Sequence, residues 1–151
     1  MPKRKLIKPN FELLRNAYAI FDGIPEDRIN LNSILTKRGA STSCGTIACG
    51  MGFLTLHPQF QALGLRMPRG DHVGACLLYK DNGAYYADAA AKVFQIKVSE
   101  ATGIFAAPHC EEAIYDQHLP KMVTSDKELL LARIIYFLKS KKQLISNAIQ
   151  Q

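Results

Sequence analysis

Tryptophan is absent from these 151 residues, no acid occurs among the first eight, and no apolar run approaches a bilayer's width. A spanning helix needs about 18 or more consecutive apolar residues, so no membrane association is expected. The six tyrosines carry the near-ultraviolet absorbance alone. Two nucleotide fingerprints are missing: no GxGxxG follows a strand pattern, and no GxxxxGK[ST] occurs. Paired carboxylates for acid–base work are missing too, because Glu111 and Glu112 are adjacent and diverge on a helix. The basic start Met1-Pro2-Lys3-Arg4-Lys5 has no long apolar segment behind it, so a secretory signal is not expected. A cytoplasmic setting with free thiols is expected for Cys44, Cys49, Cys76 and Cys110, the alternative being one or two disulfides among the four; Cys44 and Cys49, five apart, are poorly placed on a helix to bridge.

Apolar residues make up 48% of the chain, the usual share for a globular protein, and the length suits one domain with a real core. The expected division is a basic leader over 1–8 and a single helical domain over 9–151. The formal charge of +6 is concentrated near the two ends. Lys3, Arg4, Lys5 and Lys8 stand in the leader, and Lys139, Lys141 and Lys142 stand late in the chain. Removing these seven from the 19 basic residues leaves 12 against 13 acids, so the middle is nearly neutral. Such ends suit phosphate or an acidic partner, and they equally serve as solvated tails.

Taken in order, Asn10 can cap a first helix whose stripe is Phe11, Leu14, Ala17, Tyr18 and Phe21, closed by Gly23 and Pro25. The alternation from Arg28 to Ile34 suits a short strand or an extended arm, and Thr36 to Ser43 suits a loop. A central helix is predicted from about Gly45 to Leu56, ended by Pro58. Gly45, Gly50 and Gly52 each cost such a helix about 1 kcal/mol against Ala. Close packing must offset that cost, along the face of Cys44, Ala48 and Gly52. One more helical turn is predicted from Phe60 to Leu65, then a loop from Arg66 to His72. Asn82-Gly83 predicts a small hairpin joining Gly74–Tyr79 to Ala84–Tyr86. Helices capped by Asp88 and Ser99 follow, then a short one from Pro108 to His118. Ser125 and Glu128 form a capping box for a last helix reaching about Ala148. The fold class is therefore mainly α: one compact helical domain around a Gly/Cys-rich helix, with one small hairpin.

Three chemistries are open. The cysteines and His57, His72, His109 and His118 lack the doubled close spacing of a structural zinc site, so no metal and no cofactor is expected. Cys44 stands where a helix starts, which can activate a thiolate, yet no histidine is near it in sequence. The same helix start, with Ser43, Gly45 and Thr46 and with Lys37 and Arg38 upstream, is a candidate anion site. The plainer alternative is that these hydroxyls only cap the helix. A candidate nucleic-acid surface comprises Lys3, Arg4, Lys5, Arg66, Arg69, Lys139, Lys141 and Lys142, with Tyr85 and Tyr86 for stacking.

The run Cys44-Gly45-Thr46-Ile47-Ala48-Cys49-Gly50-Met51-Gly52, preceded by Asn30-Leu31-Asn32, resembles a group of small phage and prophage proteins with a CGTxxCxxG core. Ala101-Thr102-Gly103-Ile104-Phe105 and the stretch from Ala132 to Leu138 extend the similarity. The resemblance implies a non-enzymatic accessory protein in an infected bacterial cell. It would bind a host or anti-phage defence component, whether protein, nucleic acid or signalling nucleotide. A nucleic-acid-binding module using the basic ends is the alternative, and a thiol enzyme or metal protein centred on Cys44 is a third.

Overall fold

The computed structural model of the chain describes residues 8–31, 50–66, 78–79, 86–108 and 110–143, and these are mainly helical. Helix α1 spans Phe11–Asp22; Asn10 accepts the Leu13 N–H at 3.0 Å through Oδ1, as its cap position predicts. Leu13, Leu14, Ala17 and Phe21 are its buried face. Behind it, Glu26–Arg28 makes one 3₁₀ turn, and Ile29 runs extended and buried.

Helix α2, Gly50–Leu54, buries all five of its residues. The predicted helix start at 45–49 lies outside the described residues. The close approach within the described part falls at Gly50, where a Cβ would lie 2.9 Å from Leu130 Cδ2 and 3.2 Å from the Phe105 ring. Pro58 does not end this helix. Thr55 and Leu56 turn out of it, and Pro58 instead opens α3, Pro58–Ala62, where a missing N–H costs nothing. The His57 Nδ1 caps that helix by accepting the Gln59 N–H at 3.3 Å. Gly64, at φ 94, then swings the chain into strand β1, Leu65–Arg66.

Strand β1 corrects the predicted hairpin. Strand β2, Leu78–Tyr79, pairs antiparallel with it, Leu65 opposite Tyr79 and Arg66 opposite Leu78. Arg66 therefore sits in a strand rather than a loop. Tyr86 is not free to pair, because it begins helix α4, Tyr86–Phe94, two residues ahead of the predicted cap Asp88. Asn82-Gly83 lies outside the described residues. Helix α4 closes on Gln95 in the left-handed region at φ 56, which lets the Ile96 N–H reach Ala91 O at 3.0 Å.

Helix α5, Val98–Phe105, starts ahead of the predicted cap Ser99. Lys97 holds the cap position, and a Lys side chain accepts nothing, so Glu100 Oε1 reaches back to the Lys97 N–H at 3.0 Å instead. The helix predicted from Pro108 to His118 is replaced by turns and a 3₁₀ turn at Asp116–His118. Helix α6, Asp126–Ser140, begins as expected: Ser125 Oγ accepts the Glu128 N–H at 3.1 Å. The Glu128 carboxylate reaches Thr124, one residue beyond the predicted partner. The helix stops at Ser140 rather than near Ala148. Lys142 takes a left-handed conformation at φ 58, and the Gln143 N–H closes onto Leu138 O at 2.8 Å.

Helix α4 packs on α5, while α1 and α5 pack on α6. Phe105, at the end of α5, joins them: it meets Phe21 edge-on at 6.4 Å and stacks on Phe94 at 5.9 Å. Burying each such ring is worth about 1.5–3 kcal/mol. Among the described residues no helix is long and apolar enough to cross a membrane.

Candidate functional site

Among the described residues, a densely interconnected polar region lies where α5, the Asp116–His118 turn and α6 from Arg133 onward meet. Its anchor is Arg133, whose side chain is wholly buried. The guanidinium Nε–H and Nη2–H donate to Asp116 Oδ1 and Oδ2 at 2.7 and 2.8 Å, a bidentate pair. Its Nη1 group donates to the carbonyls of Ile104 and Ala106 at 3.2 and 2.6 Å. Those carbonyls belong to the C-terminal end of α5, where a positive charge also meets the negative end of the helix dipole. One side chain thus fastens α5 and the 3₁₀ turn to α6.

With Asp116 held, its neighbours are placed. Tyr115 lies against α5 at Gly103, where a Cβ would approach its Cε2 to 2.9 Å. Tyr136, one turn beyond Arg133 on α6, meets the Tyr115 ring at 5.2 Å. The exposed His118 stacks on Tyr136 with ring centres 5.2 Å apart and planes 1° from parallel. Burial raises the Tyr115 phenol to about 12, helped by the charge of Glu100 and by Tyr136.

Glu100 links these rings to the basic end of the chain. Its carboxylate accepts from Lys141 Nζ at 2.9 Å, and the same ammonium lies 5.7 Å from the Phe137 ring centre. Burial alone would push Glu100 upward. Hydrogen bonds from Lys141 and the Lys97 N–H, with the charges of both lysines, outweigh it and hold the carboxyl below its ordinary value. Lys139 and Lys142 are exposed and, among the described residues, enter no ion pair.

Of the predicted site residues, Lys139, Lys141 and Lys142 come together at the end of α6, although Lys141 is committed to Glu100. Arg66 is exposed on β1. Lys3, Arg4, Lys5, Lys37, Arg38, Ser43, Gly45, Thr46 and Arg69 lie outside the described residues, as do Cys44, Cys49, Cys76 and Tyr85. Cys110 is half-buried, and its thiol donates to Ala107 O at 3.0 Å. Among the described residues no three His, Cys, Asp or Glu side chains gather as a metal-binding group.

The rings of Tyr115, His118 and Tyr136 escape a reading of the sequence because about twenty residues separate the first two from the third. The usable signal was Arg133, a lone cation in the densely apolar stretch of the last helix, which requires a buried partner. Asp116 also lines a cleft of ≈ 380 Å³, walled by Leu119, Val123 and Leu129 and including Lys121 and Asp126. Asp126 is partly engaged, since its Oδ2 accepts the Leu31 N–H at 2.9 Å. Chemically, the region offers two ammonium groups with no ion pair among the described residues, and the exposed imidazole of His118. No protein family, no curated protein and no solved structure matches this chain.

Proposed function

We propose that this chain is a non-enzymatic accessory binding protein of phage origin that engages an anionic surface of a host or anti-phage defence component through its basic ends. The observation that carries the reading is the end of α6, where Lys139 and Lys142 stand exposed with no ion pair among the described residues. Their neighbour Lys141 is consumed by Glu100, and Arg133 by Asp116. The cations left over at this end are thus those turned to solvent. The excess of positive charge at both ends of the sequence, and the CGTxxCxxG resemblance, support the same reading.

Capture from lysate of infected bacteria tests it, using the full chain beside a Lys139→Glu/Lys142→Glu double variant. The wild type should retain an anionic component that the variant loses. Recovery of no protein, nucleic acid or nucleotide by the wild type would overturn the reading. The second reading, a nucleic-acid-binding module, is favoured by one further observation: the exposed His118 ring stacks on Tyr136, three residues before Lys139 on α6.

A further inference from the structure

Three rings and two ion pairs lie along α6 from Arg133 to Lys141. His118 stacks parallel on Tyr136, Tyr115 meets Tyr136 at a tilt of 48°, and Glu100 joins Tyr115's surroundings to Lys141. Two acids of the cluster are neutralised locally, Asp116 by Arg133 and Glu100 by Lys141. On α6, Lys139 follows Tyr136 by three residues, so the two side chains share a face of the helix. Lys142 stands just beyond.

We infer that the His118–Tyr136 stack is a platform for one base of a single-stranded nucleic acid, with Lys139 and Lys142 holding the adjoining phosphates. The inference rests on the basic-end reading above and names its partner. Each element has a physical counterpart in such a ligand. The exposed imidazole of His118, backed by a parallel ring, is a flat and rigid surface on which any base can lie. Arg133 and Asp116 fix the turn that carries it, so little ordering is needed on binding. The two lysines supply ammonium groups beside that surface, where a backbone leaving the stacked base places its charge. Duplex nucleic acid fits less well, because its bases are already stacked on one another. Tyr115, whose phenol is retained to about pH 12, adds a neutral edge to the cluster.

Fluorescence anisotropy with labelled oligothymidylate and oligouridylate, a duplex of equal length, and a mononucleotide tests this on the full chain. The wild type should bind the single strands more tightly than the duplex and the mononucleotide, and weaken as salt rises. His118→Ala should lower single-strand affinity about 5- to 100-fold with the thermal unfolding midpoint unchanged. Tyr136→Phe keeps the ring and should keep the affinity. Lys139→Ala should reduce the slope of log affinity against log salt by about 0.7, the loss of one phosphate contact on a single strand. Two results overturn the platform while leaving the basic-end reading standing: equal binding of duplex and single strand, or His118→Ala indistinguishable from wild type. Absence of any oligonucleotide binding at low salt overturns the platform too. Capture of an acidic protein lost in the Lys139→Glu/Lys142→Glu variant would then place the partner among proteins, and failure of that capture as well would overturn both.

Discussion

Arg133 is the side chain on which the rest of the polar architecture depends. A guanidinium has five N–H donors, and four hydrogen bonds from Arg133 are satisfied without water. Such a pair adds little over a well-packed apolar substitute of both partners, yet removing one partner strands the other. Arg133→Met should therefore cost about 3–5 kcal/mol in denaturant-derived stability, since Asp116 and two helix-end carbonyls lose their donor together. Arg133→Lys keeps the charge but cannot span both the carboxylate and the carbonyls, and about 1–3 kcal/mol is expected. Urea unfolding of both variants checks the order. A lysine variant as stable as wild type would show that charge alone, and not the fork of donors, holds the turn.

Elements whose boundaries are written by neighbouring residues were the legible ones. Asn10 and Ser125 cap their helices through side-chain oxygens three residues from the donor, which is a purely local device. The start of α5 was displaced because its cap is a backbone N–H served from Glu100, and Lys97 gives no sign of that role. Pro58 was ambiguous in principle: the same missing N–H ends one helix or begins another, and the turn at Thr55 and Leu56 decides. The partner of β2 was illegible because Leu65–Arg66 is a two-residue strand with no alternation to recognise. For the same reason the aromatic cluster escaped notice, being assembled through Arg133 across separate elements. The glycine-rich helix was expected to pack tightly, and Gly50 is where the described part of it does so. Gly50→Ala should cost about 1–3 kcal/mol, because the Leu130 and Phe105 side chains that meet the new methyl are themselves fully buried. A thermal melt at or above the wild-type midpoint would show that helix propensity outweighs the crowding.

Helix α5 runs antiparallel to the second half of α6, tied at one end by Arg133 and at the other by Lys141 with Glu100. Tyr115 lies between these two ties, and that position sets an alkaline limit on the fold. In the unfolded chain a tyrosine gives up its proton near its ordinary value of 10.0, whereas Tyr115 holds it to about 12 in the folded state. Between those values the unfolded chain carries fewer protons, so stability retained below about pH 10 declines as pH rises toward about 12. Replacing Tyr115 with Phe should flatten that decline, read as the denaturant midpoint across the same range. An equally steep decline in the variant would assign it to other groups. With no tryptophan to obscure it, the tyrosinate band should rise late for Tyr115. The part of an ultraviolet pH titration that disappears in the Tyr115→Phe variant thereby becomes a direct optical report of whether the helix pair beneath it is still closed.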